Sequence, residues 1–158
     1  MRVGMGYDIH PLSAGRRLVL AGVEIADARG LLGHSDGDVV SHAIVDALLG
    51  AAALRDIGAH FPPQDPRYEG VSSLGLLRQV AEELWAQGWR IGNVDAVIVA
   101  EGPHIAPYTD TMRRRLAQAL DIDQDQVGIQ ATTNEGLGAL GRGEGIAAYA
   151  VALVEKAP

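Results

Sequence analysis

At 158 residues, 47% apolar and 21% charged, the chain has the length and composition of one ordinary globular domain with a core of its own. A net charge of −7 without a basic tail argues against a nucleic-acid partner, because such binding rests on neutralising phosphates. The absence of cysteine excludes disulfides and thiolate metal sites, so any metal must be held by His, Asp or Glu. No apolar run approaches the roughly 18 residues of a membrane span. The first residues lack the apolar segment of a secretion signal, so the expected location is the cytoplasm.

In chain order, residues 1–9 read as a strand that runs into Asp8-Ile9-His10. Strand side chains alternate, so Asp8 and His10 share one face. Residues 17–20 and 23–25 read as two short strands of a hairpin turning at Ala21-Gly22. A polar turn follows, Gly33-His34-Ser35-Asp36-Gly37. A helix then runs from about Asp38 to Leu54, with Asp36 or Asp38 as its cap. On it, Asp38, His42 and Asp46 recur every fourth residue and form one polar stripe on an otherwise apolar helix. Residues 55–68 carry three prolines and read as a loop of functional length.

Ser72 or Ser73 is expected to cap a second helix, which runs to about Gln87 and stops at Gly88. Leu74, Leu77, Val80, Ala81, Leu84 and Trp85 give it the apolar period of a helix packed on one side. Residues 89–99 read as a strand ending in the turn 101–104, and a third helix spans roughly 107–120. Residues 126–133 form another strand, and the glycine-rich segment 134–145 leads to a final strand, 146–154. That last strand is apolar on both faces and is expected at the sheet centre. The fold class expected for residues 1–158, taken as a single catalytic domain, is α+β: a mixed β-sheet with helices packed on one face.

Three groups of residues suggest chemistry. Asp8, His10 and His42 are a sulfur-free set of three ligands that suits Zn²⁺ with an open fourth position, and Asp46 is a candidate partner for orienting an imidazole. Thr132, Thr133 and Glu135 combine hydroxyl donors with a carboxylate, which suits a phosphate with its divalent cation. Gly136-x-Gly138-x-x-Gly141 matches a dinucleotide-binding pattern, but that pattern needs a following helix, and a strand follows here. Arg142 and Glu144 either bind an anion or pair with each other. From the residues alone, a zinc-dependent phosphohydrolase and a non-catalytic metal- or nucleotide-binding protein both remain open.

Several segments sharpen this. Gly6-Tyr7-Asp8-Ile9-His10, Gly33-His34-Ser35-Asp36-Gly37-Asp38, Asp46-Ala47-Leu48-Leu49-Gly50, Asp56-Ile57-Gly58, Asn93-Val94-Asp95, Ala131-Thr132-Thr133 and Gly141-Arg142-Gly143-Glu144-Gly145 resemble the 2-C-methyl-D-erythritol 2,4-cyclodiphosphate synthase family end to end. The resemblance implies an enzyme of non-mevalonate isoprenoid biosynthesis. Its substrate would be 4-diphosphocytidyl-2-C-methyl-D-erythritol 2-phosphate, closed to the cyclic diphosphate with loss of CMP. It also implies a homotrimer with sheets facing its centre and active sites between subunits.

By the same resemblance, Asp8, His10 and His42 hold Zn²⁺, and Glu135 holds Mg²⁺ or Mn²⁺ on the substrate diphosphate. His34 and Thr133 stabilise the transition state, with Asp38 and Asp46 as supporting residues. Ser35, Asp56, Ile57 and Gly58 bind the methylerythritol phosphate, bordered by the loop from Phe61 to Asp65. Ala100, Pro103, His104, Ile105 and Ala106, with Ala131 and Thr132, form the cytidine pocket. Arg142 and Glu144 match a family feature that would accept an isoprenoid diphosphate in the central channel. Pro63, His104, Asn134, Gly136 and Ala139 depart from the family pattern: an aspartate is common at the first position, a lysine at the second and a phenylalanine at the last. None of these departures touches the three zinc-ligand positions.

Overall fold

The computed structural model describes residues 1–156. Its frame is a five-stranded mixed sheet in the order β4-β1-β7-β5-β6. The strands are β1 (Arg2–Ala14), β4 (Arg29–Leu31), β5 (Trp89–Val99), β6 (Val127–Thr132) and β7 (Gly145–Lys156), and a separate hairpin pairs β2 (Leu18–Leu20) with β3 (Val23–Ile25). β7 is central, antiparallel to both β1 and β5, while β5 and β6 run parallel. The expected α+β architecture with a central last strand is what forms.

Three long helices, α1 (Val39–Ala52), α3 (Ser73–Ala86) and α4 (Thr109–Leu120), cover one face. Between α1 and this face lie Ile146, Ala148, Ala150, Ala152 and Val154 of β7, all buried. The approach of α1 to β1 is unusually close because Gly4 and Gly6 present no side chain to it. A Cβ on Gly6 would sit 1.9 Å from the carbonyl oxygen of Ala43, and one on Gly4 would sit 2.0 Å from that of Ala47. Asp8 and His10 follow on the same face of β1, so the contact that needs glycine at 4 and 6 also brings α1 within reach of them.

The opposite face of the sheet is bare. Val3 (66% exposed) and Met5 (71% exposed) lie on it with Tyr7 and Ile9, beside Tyr149 and Val151 of β7. The Tyr7 and Tyr149 rings pack against each other at a 41° tilt with centroids 4.8 Å apart.

Several local features differ from the sequence reading. α1 ends at Ala52, and Ala53 takes a left-handed conformation at φ 61° that closes the helix before Leu54. The loop 55–68 contains a short helix, α2 (Ile57–His60), capped by Asp56, and a 3₁₀ turn at Pro66–Tyr68. A 3₁₀ turn at Ala106–Tyr108 precedes α4, which starts at Thr109. The glycine-rich segment folds into one helical turn, α5 (Gly138–Gly141), before β7. Ser72 occupies the cap position of α3 without a side-chain cap bond. The carboxylate of Asp36, 37 residues upstream, accepts from the Ser73 N–H instead, at 3.0 Å. No helix among the described residues is long and apolar enough to cross a membrane.

Candidate active site

The site begins where β1 meets α1. Asp8 and His10 leave the same face of β1, and His42 sits one turn into α1. Asp8 Oδ2 lies 2.9 Å from both His10 Nε2 and His42 Nδ1, and the two imidazole nitrogens are 3.2 Å apart. Ligand atoms of a tetrahedral ion with bonds of about 2.0–2.1 Å stand about 3.3 Å apart, so the three converge as a metal would require. Among the described residues this is the cluster placed to hold a metal ion. Burial alone would raise the Asp8 carboxyl, but the hydrogen bonds and charges of His10 and His42 outweigh it and bring the value to about 2. Burial disfavours the charged form of His10, yet the bond to Asp8 and its charge raise it above the ordinary imidazole value.

The fourth side of this cluster opens into a pocket of about 230 Å³. Of the residues expected at the site, Asp8, His10, His34, Ser35, His42, Ile57, Gly58 and Phe61 line it together. His34 is exposed at the mouth and Ser35 is buried. Pro63, Tyr68 and Leu76 line it too. Pro63 belongs to the loop from Phe61 to Asp65 expected to border the site, whereas nothing in the sequence pointed to Tyr68 and Leu76. Tyr68 follows three prolines and carries no periodic signal, although its ring packs edge-on against Phe61 with centroids 5.3 Å apart. Asp56 stands just outside, committed to capping α2 through Ala59 N at 2.9 Å. Asp65 is held by Arg67, with contacts as short as 2.6 Å.

The two acidic residues of the polar stripe spend their carboxylates on backbone and hydroxyl donors rather than on the imidazoles of the cluster. Asp38 is fully buried, and its carboxylate accepts from Ala21 N (2.8 Å), Gly22 N (2.7 Å), Ser41 N (3.1 Å) and Ser41 Oγ (2.7 Å). It caps α1 and pins the β2–β3 hairpin. Burial and the neighbouring Asp36 charge raise its carboxyl, against the pull of these donors. Asp46 accepts from Ile57 N at 2.7 Å and so ties α2 to α1. Neither hydrogen-bonds an imidazole. The far nitrogen of His42 meets hydroxyls instead: Nε2 lies 2.9 Å from Ser73 Oγ and 3.0 Å from Ser35 Oγ.

A second group gathers at the ends of β5 and β6. Ala100, Pro103, His104, Ile105 and Ala106 follow β5, and Ala100 N donates to Thr132 O at 3.0 Å. Thr133 Oγ1 and Glu135 Oε1 are 3.2 Å apart, and both residues are exposed, as are Ala131 and Thr132. Glu101 ties this edge together by accepting from Asn134 N at 2.8 Å. His10 pairs with Ile146 and Val99 with Ala147, on opposite sides of β7. Both groups therefore lie at the same end of the sheet, β1 and β5 two strand spacings apart, or roughly 10 Å. None of the second group lines the metal pocket. Arg142 pairs with Glu144 at 2.6 Å on the surface, the pairing alternative of the sequence reading.

Known proteins share this sequence and fold. The model of the YgbB family matches residues 1–155. The 2-C-methyl-D-erythritol 2,4-cyclodiphosphate synthase of Thermosynechococcus vestitus is 59% identical over 155 residues, covering 98% of this chain and 96% of its own. The bifunctional IspDF of Campylobacter jejuni superposes with a TM-score of 0.95 at 36% identity, over 99% of this chain and 42% of that longer one. IspF of Plasmodium falciparum, solved in complex with CDP, superposes with a TM-score of 0.87 at 33% identity, over 99% of this chain and 97% of its own. The chain belongs to the YgbB family and is an enzyme of the 2-C-methyl-D-erythritol 2,4-cyclodiphosphate synthase kind.

Proposed function

We propose that the cyclisation is divided between the β1–α1 metal cradle of one subunit and the β5–β6 edge of a neighbouring copy in a homotrimer. In the reaction, an oxygen of the 2-phosphate attacks the β-phosphorus. The bond from that phosphorus to the bridging oxygen breaks, and CMP leaves with the electron pair. Nucleophile and electrophile belong to one molecule, so the protein's task is to fold the substrate and neutralise charge.

The observation that carries this reading is the convergence of Asp8 Oδ2, His10 Nε2 and His42 Nδ1 within 3.2 Å at the base of a pocket. Two imidazole nitrogens and a carboxylate oxygen that close call for a cation, and the set of two nitrogens and one oxygen suits Zn²⁺. Zinc held there supplies Lewis-acid polarisation of the β-phosphate. Glu135 is the residue to hold Mg²⁺ or Mn²⁺ on the diphosphate, which offsets its negative charge.

His34 stands at the pocket mouth to donate to the oxygens that gain charge. Thr133 does the same from the facing edge once its hydroxyl turns from Glu135. Ser35, with Asp56, Ile57 and Gly58, holds the methylerythritol phosphate, and Phe61 to Asp65 form the wall beside it. Ala100 to Ala106, with Ala131 and Thr132, receive the cytidine mainly through backbone groups. The bare apolar face formed by Val3, Met5, Tyr7, Ile9, Tyr149 and Val151 supports the trimer, since apolar faces of this kind mark interfaces. An isoprenoid diphosphate in the central channel belongs to the same reading, and it has to displace Glu144 from Arg142.

Mixing two inactive variants tests the shared site. His42→Ala and Thr133→Ala, each alone, lose about 100-fold or more in turnover. Co-assembled in equal amounts, they restore about a quarter of wild-type activity, because one interface in four then pairs an intact cradle with an intact edge. No recovery in mixed trimers contradicts the division between subunits.

A further inference from the structure

Ser73 lies outside every assigned role, yet it is fully buried and reaches His42. The direction of the hydrogen bonds around it can be worked out. The backbone N–H groups of Ser73 (3.0 Å) and Asp38 (3.2 Å) both donate to Asp36, so this carboxylate is an accepting end. The Ser73 hydroxyl has one proton and spends it on Asp36 Oδ1. Ser73 Oγ therefore meets His42 Nε2, 2.9 Å away, with a lone pair. Nε2 must carry a proton to make that bond, so Nδ1, which faces Asp8 Oδ2 and His10 Nε2, is the nitrogen whose lone pair is available to a metal in place of the hydrogen bond to Asp8. Ser35 Oγ, 3.0 Å from the same Nε2, shares the proton. Ser35 Oγ also lies 3.2 Å from Ser73 Oγ, and because the Ser73 proton is spent on Asp36, Ser35 is the donor of that bond.

We infer that Ser73, anchored by Asp36, positions His42 for the metal, holding the ring as the Nε2–H form with Nδ1 directed at the ion. The cause is geometric: a hydrogen bond at the far nitrogen of a ligating imidazole sets both its tautomer and its rotation. Asp36 thus serves twice, capping α3 through the Ser73 N–H and ending the chain that aims His42. This inference rests on the reading of Asp8, His10 and His42 as a metal site.

The test uses the full-length protein with zinc alone as probe. Chelator competition gives zinc affinity for the wild type, Ser73→Ala and Ser73→Thr, and the ¹⁵N histidine spectrum of the zinc-loaded protein shows which nitrogen holds the metal. Ser73→Ala leaves the backbone cap on Asp36 in place. It is expected to lose about 10-fold or more in zinc affinity, and Ser73→Thr to recover most of that. In the wild type, His42 binds zinc through Nδ1 and shows a slowly exchanging Nε2 proton, which exchanges faster in Ser73→Ala. Zinc bound through Nε2 of wild-type His42 overturns the inference without any variant. So does Ser73→Ala with wild-type affinity and an unchanged Nε2 proton. Failure of the wild type to bind zinc at all contradicts the metal site itself and is distinct from both.

Discussion

The two halves of the site are built differently. The β1–α1 cradle is enclosed by the protein itself: Asp8, His10 and His42 are half-buried or buried, and hydroxyls hold the far side of His42. The β5–β6 edge is open, with Thr133 and Glu135 exposed and bonded mainly to each other. A metal site must preset its ligand geometry, because an error of a few tenths of an ångström at each ligand is felt directly. An edge that meets a flexible diphosphate needs only donors within reach. On the proposed division of the site, rigidity is placed where the charge is fixed, and openness where the substrate would enter.

Substitutions can break this contrast. The largest effect is expected from His42→Ala, which removes one of the three residues proposed to hold the metal. Metal content falls to background and turnover drops at least 100-fold, while circular dichroism stays that of the wild type. Thr133→Ala also costs about 100-fold in turnover but retains full metal content by elemental analysis. Equal loss of metal in both variants would erase the distinction between the halves.

Gly6→Ala tests what positions the cradle. The new methyl would sit 1.9 Å from the Ala43 carbonyl oxygen, so α1 must lift from β1. A loss of about 3 kcal/mol in urea unfolding is expected, together with weakened metal binding. Wild-type stability would mean that the close approach of α1 is not what brings His42 to Asp8.

The smallest effect concerns pH. In the metal-free protein Asp8 has a folded value of about 2 against an ordinary 3.8. A lowered carboxyl contributes stability that is complete above the unfolded value and lost as pH falls through the folded one. The difference in urea midpoint between chelated wild type and Asp8→Asn should hold above about pH 4 and close toward pH 2. A difference that widens on acidification would contradict the assignment.

Much of the cradle was legible in the sequence. An Asp-x-His pair on a strand shares a face by alternation, and His42 stands out on an apolar helix. What hid was held by contacts distant in sequence or by elements too short to show a period. Asp38 and Asp46 share a helical stripe with His42, but their partners, the Ala21-Gly22 turn and Ile57 N, come from other segments. Asp36 caps a helix that starts 37 residues later. α2 has four residues inside a proline-rich loop, less than two turns of any pattern. The edge group was visible as residue types, but its position beside β7 follows only from the pairing of β5 with β7 and β6.

Product analysis tests the central claim most directly. The metal-loaded protein is incubated with 4-diphosphocytidyl-2-C-methyl-D-erythritol 2-phosphate and Mg²⁺, and the phosphorus products are identified by mass and ³¹P spectra. The account predicts one CMP for each cyclic diphosphate formed, and no inorganic phosphate. A linear product with free phosphate, or no CMP, would contradict it.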